Sequence, residues 1–471
     1  MPLPPPHPLL DATLRAVARR YRVPALSEFP DDDAVPATAL AVRIEQARAS
    51  VAAGRAPAPS VRQAFLAALA RLIRDAMRPG EGDPVFQAMS MRHRNAVVRE
   101  YASLSAGAAQ DRREILAAAN ALAHPAKVER MAPGPARDAL ARLRAAAVQA
   151  RWAALAEAAG TLRESPGPAA DAAAAAALER LTASPALARL LRLDQLERDE
   201  DVGRYRTLWA QQGPRPGSAT AAAQGYASRA RGDAVEALAL QALEALARRL
   251  NAAEAGAPYR AVSSMRVPAS FPASPARAKS EWDAALLRRS ADAGAAPAWD
   301  LCLLLEAKAS ADAAATDFPR LLRGLRLLAE ADARADYVFS TRQGAFPLRG
   351  ASLRALPAEG HALAQAVLYF CDGPAETLPR LLSAASRMQL LSAPASLEYA
   401  SRLAQGRDPA PDALEPVWRQ LLESPQWAGV LQQYPMLCEA RELMVHADDL
   451  MAAIADAAPP APAVSGAKPG R

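Results

Sequence analysis

The chain has 471 residues, 51% hydrophobic but only 5% aromatic, and carries a net charge of +6 from 56 basic and 50 acidic residues. With 23% charged residues, this composition excludes a wholly disordered chain, while the mild positive bias permits an anionic partner without requiring one. Cys302, Cys371 and Cys438 form no C-x-x-C pair, and His7, His93, His124, His361 and His446 show no ligand spacing, which excludes a zinc ribbon and a disulfide scaffold.

The apolar half is mostly Ala and Leu, both strong helix formers. Apolar residues at helical spacing predict helices over 9–21, 60–77, 95–104, 111–122, 135–159, 170–181 and 185–196. Pro79-Gly80-Glu81-Gly82 and Ser165-Pro166-Gly167-Pro168 separate some of them. An all-helical domain is therefore expected over 1–218, closed by the turn-rich stretch Gln211-Gln212-Gly213-Pro214-Arg215-Pro216-Gly217-Ser218. The pattern then changes. A helix is expected to open at Gly232-Asp233, with Asp233 as cap and Glu236 three residues on, and to run to Asn251. Strands follow over 259–267, 281–287 and 299–308. The last contains Leu301-Cys302-Leu303-Leu304-Leu305, the density of a buried strand. A helix over 317–331 and strands over 336–340 and 366–370 complete an α/β core assigned to 219–374. Helices are expected again over 378–388, 394–403, 413–434 and 440–457, making a helical C-terminal extension over 375–457, and the Pro-, Ala- and Gly-rich tail 458–471 reads as disordered. The fold class is α+β, mostly α. No apolar run approaches the roughly 18 residues of a membrane span, and the first residues lack the basic start and apolar core of a secretory signal. A cytoplasmic protein without membrane contact is the expectation.

Charged residues at one end of the apolar strand are the chemical signal. Alternation places Asp300, Cys302, Leu304, Glu306 and Lys308 on one face of 299–308. Burying a carboxylate or an ammonium is costly unless it is paired or bound to a metal. Asp283 lies 23 residues before Glu306, a spacing that suits two adjacent strands joined by a loop. Two carboxylates on neighbouring strands make an oxygen-rich site of the kind Mg²⁺ or Mn²⁺ takes, and a lysine beside it can orient or help deprotonate water. Lysine is rare here: Lys127, Lys279, Lys308 and Lys468 are the only ones. The same residues also fit blander readings. Glu306 and Lys308 suit a strand-end ion pair, Asp283 a turn or edge position, and Glu236 a capping box alone. Asp300, at the start of the strand, is the poorer alternative to Asp283.

The run of helix with Glu236, then Asp283, then Glu306-Ala307-Lys308, then the helix from Asp317 resembles the PD-(D/E)xK nuclease-like superfamily over about residues 225–345. The resemblance implies a restriction-endonuclease-like core with a mixed sheet. It implies Asp283 and Glu306 as metal ligands, the Ala307 carbonyl as a further ligand, Lys308 as the water-activating residue and Glu236 as an accessory carboxylate. It also implies Mg²⁺- or Mn²⁺-dependent hydrolysis of nucleic-acid phosphodiesters, DNA before RNA. The residue before Asp283 is Trp282 rather than Pro, a departure from the family pattern.

Arg320, Arg323 and Arg326 recur at three-residue spacing on the helix over 317–331, a basic stripe suited to phosphates or simply to water. A non-catalytic interaction protein, with a degenerate nuclease-like core and a helical N-terminal region that binds a protein partner, is the competing expectation. A fainter likeness of Arg231-Gly232-Asp233-Ala234-Val235-Glu236 to plant-type DAHP synthases is set aside. The metal-binding Cys of those enzymes is missing and the first half lacks the alternating strands of an eight-fold barrel.

Overall fold

The computed structural model describes all residues except 1–6, 30–34, 165–171, 214–217, 257, 274–277, 291–296, 361, 377–378 and 458–471. The expected disordered tail, His361, the punctuator at 165–168, most of the loop before the third strand and part of the stretch 211–218 lie outside the described residues. Contacts group the chain into two compact units. One comprises Met1–Ala68, Pro216–Arg387 and Arg419–Arg471, the other Leu69–Arg215 and Met388–Trp418. This grouping differs from the sequence-derived spans 1–218, 219–374 and 375–457. The physical reason is packing. Leu9, Leu10, Leu14 and Val17, near the N-terminus, share a core with Leu286, Leu303, Leu305, Leu450 and Ile454.

The second unit is all helix and loop among its described residues. The Ala96–Leu122 helix runs unbroken where two helices were expected, and Asn95 caps it through its side chain to the amides of Val97 and Val98. The expected single helix over 135–159 is instead two, Pro135–Val148 and Trp152–Glu164. Ala150 turns left-handed at φ 54°. Its N–H reaches the Ala147 carbonyl and that of Arg151 the Ala146 carbonyl, a Schellman ending made without glycine.

The first unit holds a mixed seven-stranded sheet built from β1 (Tyr259–Arg266), β2 (Glu281–Arg289), β3 (Trp299–Lys308), β4 (Asp336–Thr341), β5 (Gly344–Arg349), β6 (Val367–Cys371) and β7 (Met444–His446). β1, β2 and β3 pair antiparallel in sequence order, and β6 and β7 add parallel to β3. The β4–β5 hairpin bridges back to β1 at Arg266–Ser340 and to β3 at Trp299–Leu348. The sheet is mixed as expected, but five strands close into a small barrel, which is not the restriction-endonuclease-like core that the resemblance implies. β5 escaped notice because Pro347 interrupts an already short apolar stretch.

Helices cover both sides of the sheet. Ala311–Ala329 lays Ala314, Phe318, Leu321, Leu325 and Leu328 against Val262, Leu304 and Tyr369. Ala219–Ala253 lays Val235, Ala239, Leu243, Leu246 and Leu250 against Leu286, Leu303 and Leu305. That second helix begins 14 residues earlier than expected, capped by the Ser218 hydroxyl, because 219–231 is rich in Ala. Asp233 and Glu236 are therefore interior helix residues and not a capping box. The stretch 231–236 that echoed the DAHP synthases is part of this helix. No helix among the described residues is long and apolar enough to cross a membrane.

Candidate functional site

The face alternation along β1 and β2 changes phase at one place. Val262 on β1 and Ala285 and Leu287 on β2 belong to the core under Ala311–Ala329, and Ala284 and Leu286 to the opposite core, as a period of two demands. Beyond that, Met265 and Trp282 both turn into the first core. The residues between are Ser264, left-handed at φ 50°, and Asp283. They stand opposite each other, because Ser263 pairs with Ala284 and Met265 with Trp282. Backbone pairing of β2 with β3 ends at Ala284–Leu305, and the Asp283 side chain takes over: its Oδ2 accepts the Ala307 N–H at 2.9 Å. One step further along the same register sets Asp283 against Glu306.

Glu306 has no exposed surface. The Lys279 ammonium lies 2.5 Å from its Oε2 and that of Lys308 3.5 Å from the same atom, yet neither carboxylate oxygen accepts a hydrogen bond of sound geometry. Burial, reinforced by the neighbouring Asp283 charge, pushes the Glu306 carboxyl up to about 8, while the two ammoniums pull the other way. Lys308 also reaches Asp317 Oδ2 at 3.3 Å, and the buried Tyr369 hydroxyl donates to that same oxygen at 3.4 Å. Burial opposes the charge on Lys308, but Glu306 and Asp317 outweigh it and hold the ammonium above its ordinary value. Burial raises the Tyr369 hydroxyl strongly, so it stays a neutral donor. Glu236 reaches in from the other helix. Burial first and Asp283 second raise its carboxyl, and Arg342 stands 4.0 Å away.

Compared with protein-family models, curated proteins and solved structures, the chain matches none.

The structure brings Asp283, Glu306, Ala307 and Lys308 together at the end of β2 and β3, with Glu236 close enough to interact with Asp283. It does not bring Asp300, whose carboxylate is held by Arg349 through bonds of 2.7 and 2.6 Å. Asp300 also leaves the expected shared face: a register shift beside Leu287 interrupts the alternation, and Leu301 joins the core of Leu304 while Cys302 packs with Leu303 and Leu305. The Cys302 thiol, on a half-buried residue, is pushed up to about 12 by burial. Arg320, Arg323 and Arg326 are exposed along Ala311–Ala329, and Arg320 lies 3.8 Å from Asp317. Sequence reasoning missed Lys279, Asp317 and Tyr369. The rarity of lysine was a usable signal for the first; nothing local marked the other two.

Two carboxylates and a main-chain group suit a divalent cation that keeps several of its waters, as Mg²⁺ does. Glu306 Oε1, fully buried and without a hydrogen-bond partner among the described residues, retains the acceptor capacity that such an ion would satisfy, whereas Oε2 faces Lys279 and Lys308. Among the described residues no group of three or more His, Cys, Asp or Glu side chains forms a metal cage. The donor set thus fits a water-rich Mg²⁺ or Mn²⁺ site and not an all-protein one.

Proposed function

We propose that the first unit is a nuclease module that hydrolyses nucleic-acid phosphodiesters with Mg²⁺ or Mn²⁺. The observation that carries this reading is the meeting of Asp283 and Glu306 at one strand end with Lys308 beside them. The order helix, three antiparallel strands, helix, parallel strand supports it, with the β4–β5 hairpin as an insertion. Asp283 and Glu306 would hold the ion, with the Ala307 carbonyl as the further ligand. Bound there, a divalent ion supplies charge neutralisation at the phosphate and a more acidic water. Lys308, kept cationic by Glu306 and Asp317, would donate to negative charge as it develops on the phosphate oxygens. That role differs from taking a proton from water, which needs a neutral amine. Arg320, Arg323 and Arg326, beginning one helical turn from Asp317, would meet the backbone phosphates of the nucleic acid.

A second reading has its own observation. Lys279 already neutralises Glu306 at 2.5 Å, which favours a non-catalytic core serving a protein partner. Full-length protein incubated with single- and double-stranded DNA and RNA, with Mg²⁺ or Mn²⁺, separates the two. The nuclease reading predicts cation-dependent cleavage that falls about a hundredfold or more in Glu306→Gln and Lys308→Met. Cleavage unaffected by either substitution, or absent from wild type, contradicts it.

A further inference from the structure

Lys279 is built into the molecule rather than laid on its surface. It precedes β2, is 4% exposed, and sets its ammonium 2.5 Å from Glu306 Oε2 and 5.9 Å from the centre of the Trp282 ring. The helix opposite makes room for it. A Cβ added to Gly324 would come 2.8 Å from the Lys279 Cβ, 3.0 Å from the Lys279 carbonyl oxygen and 3.2 Å from the Trp282 ring. Lys308 divides its charge between Glu306 and Asp317, whereas among the described residues Lys279 forms its ion pair with Glu306 alone. A buried carboxylate needs a compensating positive charge, and here Lys279 supplies the nearest one.

We propose that Lys279 is the resident counter-cation of Glu306 and competes with a divalent ion for that carboxylate, so that the ion enters only as this ammonium withdraws. The inference rests on the reading of Asp283 and Glu306 as a cation site. Two ammoniums within ion-pair distance of one oxygen leave a third cation repelled as well as attracted. Removing the charge on Lys279 removes that repulsion and leaves Glu306 in want of a partner. Its chain position, fixed by the Gly324 notch, makes the competition intramolecular and therefore strong against dilute metal.

The test is Mn²⁺ titration of the full-length wild type, Lys279→Met and Lys279→Met/Glu306→Gln, followed by calorimetry and by thermal shift. Lys279→Met is expected to bind Mn²⁺ about tenfold tighter than wild type or better, with a larger rise in Tm, and the double variant to lose that gain. Unchanged or weaker binding by Lys279→Met overturns the inference, as does a gain that survives Glu306→Gln. Should Lys279→Met be unfolded in plain buffer, folding on Mn²⁺ addition, read by circular dichroism, supports it. Failure to fold with Mn²⁺ overturns it, because the ion should replace the missing charge. Cleavage assayed in parallel keeps the two claims apart. Tighter binding without cleavage by any variant refutes the hydrolase and leaves the competition standing. Cleavage by wild type with unchanged affinity in Lys279→Met does the reverse.

Discussion

A carboxylate with no exposed surface has to be compensated from within, and Glu306 meets two ammoniums, Lys279 and Lys308, on the same oxygen. Compensation is incomplete, since burial and Asp283 still push its carboxyl up to about 8. The sign of the pH effect follows. The folded state holds this proton more tightly than the unfolded state does, so the stability it contributes is full below the ordinary glutamate value. It is lost as pH rises through that value toward about 8. Wild type should therefore lose more Tm between pH 5 and pH 8 than Glu306→Gln does, in matched buffers. Equal losses would show that Glu306 is not the titrating group. Glu236, also raised, is present in both proteins and cancels in the comparison.

At the scale of the element, the Ala311–Ala329 helix is shaped by what it presses on. Gly324 is a poor helix residue, and an exposed Gly→Ala change gains about 1 kcal/mol from propensity. Here the new methyl would meet the Lys279 Cβ and backbone carbonyl and the Trp282 ring, none of which can swing away freely. Gly324→Ala should lower stability by about 1–3 kcal/mol, as overpacking does. A chemical-denaturation midpoint at or above wild type would mean that the notch is not needed. Elements of this kind also show how far the sequence reaches. β3 was legible at both ends because a dense apolar run stops at two charges, and Asp283 and Glu306 followed from strand spacing. Lys279 was not legible as a partner, because its role depends on how the chain before β2 lies against a glycine on another helix. The break at Ala150 was hidden for a similar reason: an alanine occupies a left-handed position where glycine is the usual signal. The barrel closure rests on single bridging pairs at Arg266–Ser340 and Trp299–Leu348, which no periodicity could announce.

Over the whole molecule, chain order and spatial grouping diverge. The N-terminal residues Leu9, Leu10, Leu14 and Val17 are almost fully buried in the core that backs β2 and β3. Fully burying such a side chain is worth about 1.5–3 kcal/mol, so a chain starting at residue 219 forfeits a sum comparable to the stability of a whole domain, about 5–15 kcal/mol. Residues 219–457 alone should bind an apolar dye and show no cooperative melt. A sharp transition near that of the full chain would restore the simple boundary at 218. The account as a whole turns on whether Asp283 and Glu306 jointly hold a divalent ion, and the direct measurement is Mn²⁺ binding by full-length wild type against Asp283→Asn. Saturable binding that raises the Tm of wild type and is lost in Asp283→Asn is the result predicted. Absence of binding by wild type, or binding indifferent to Asp283, would contradict it.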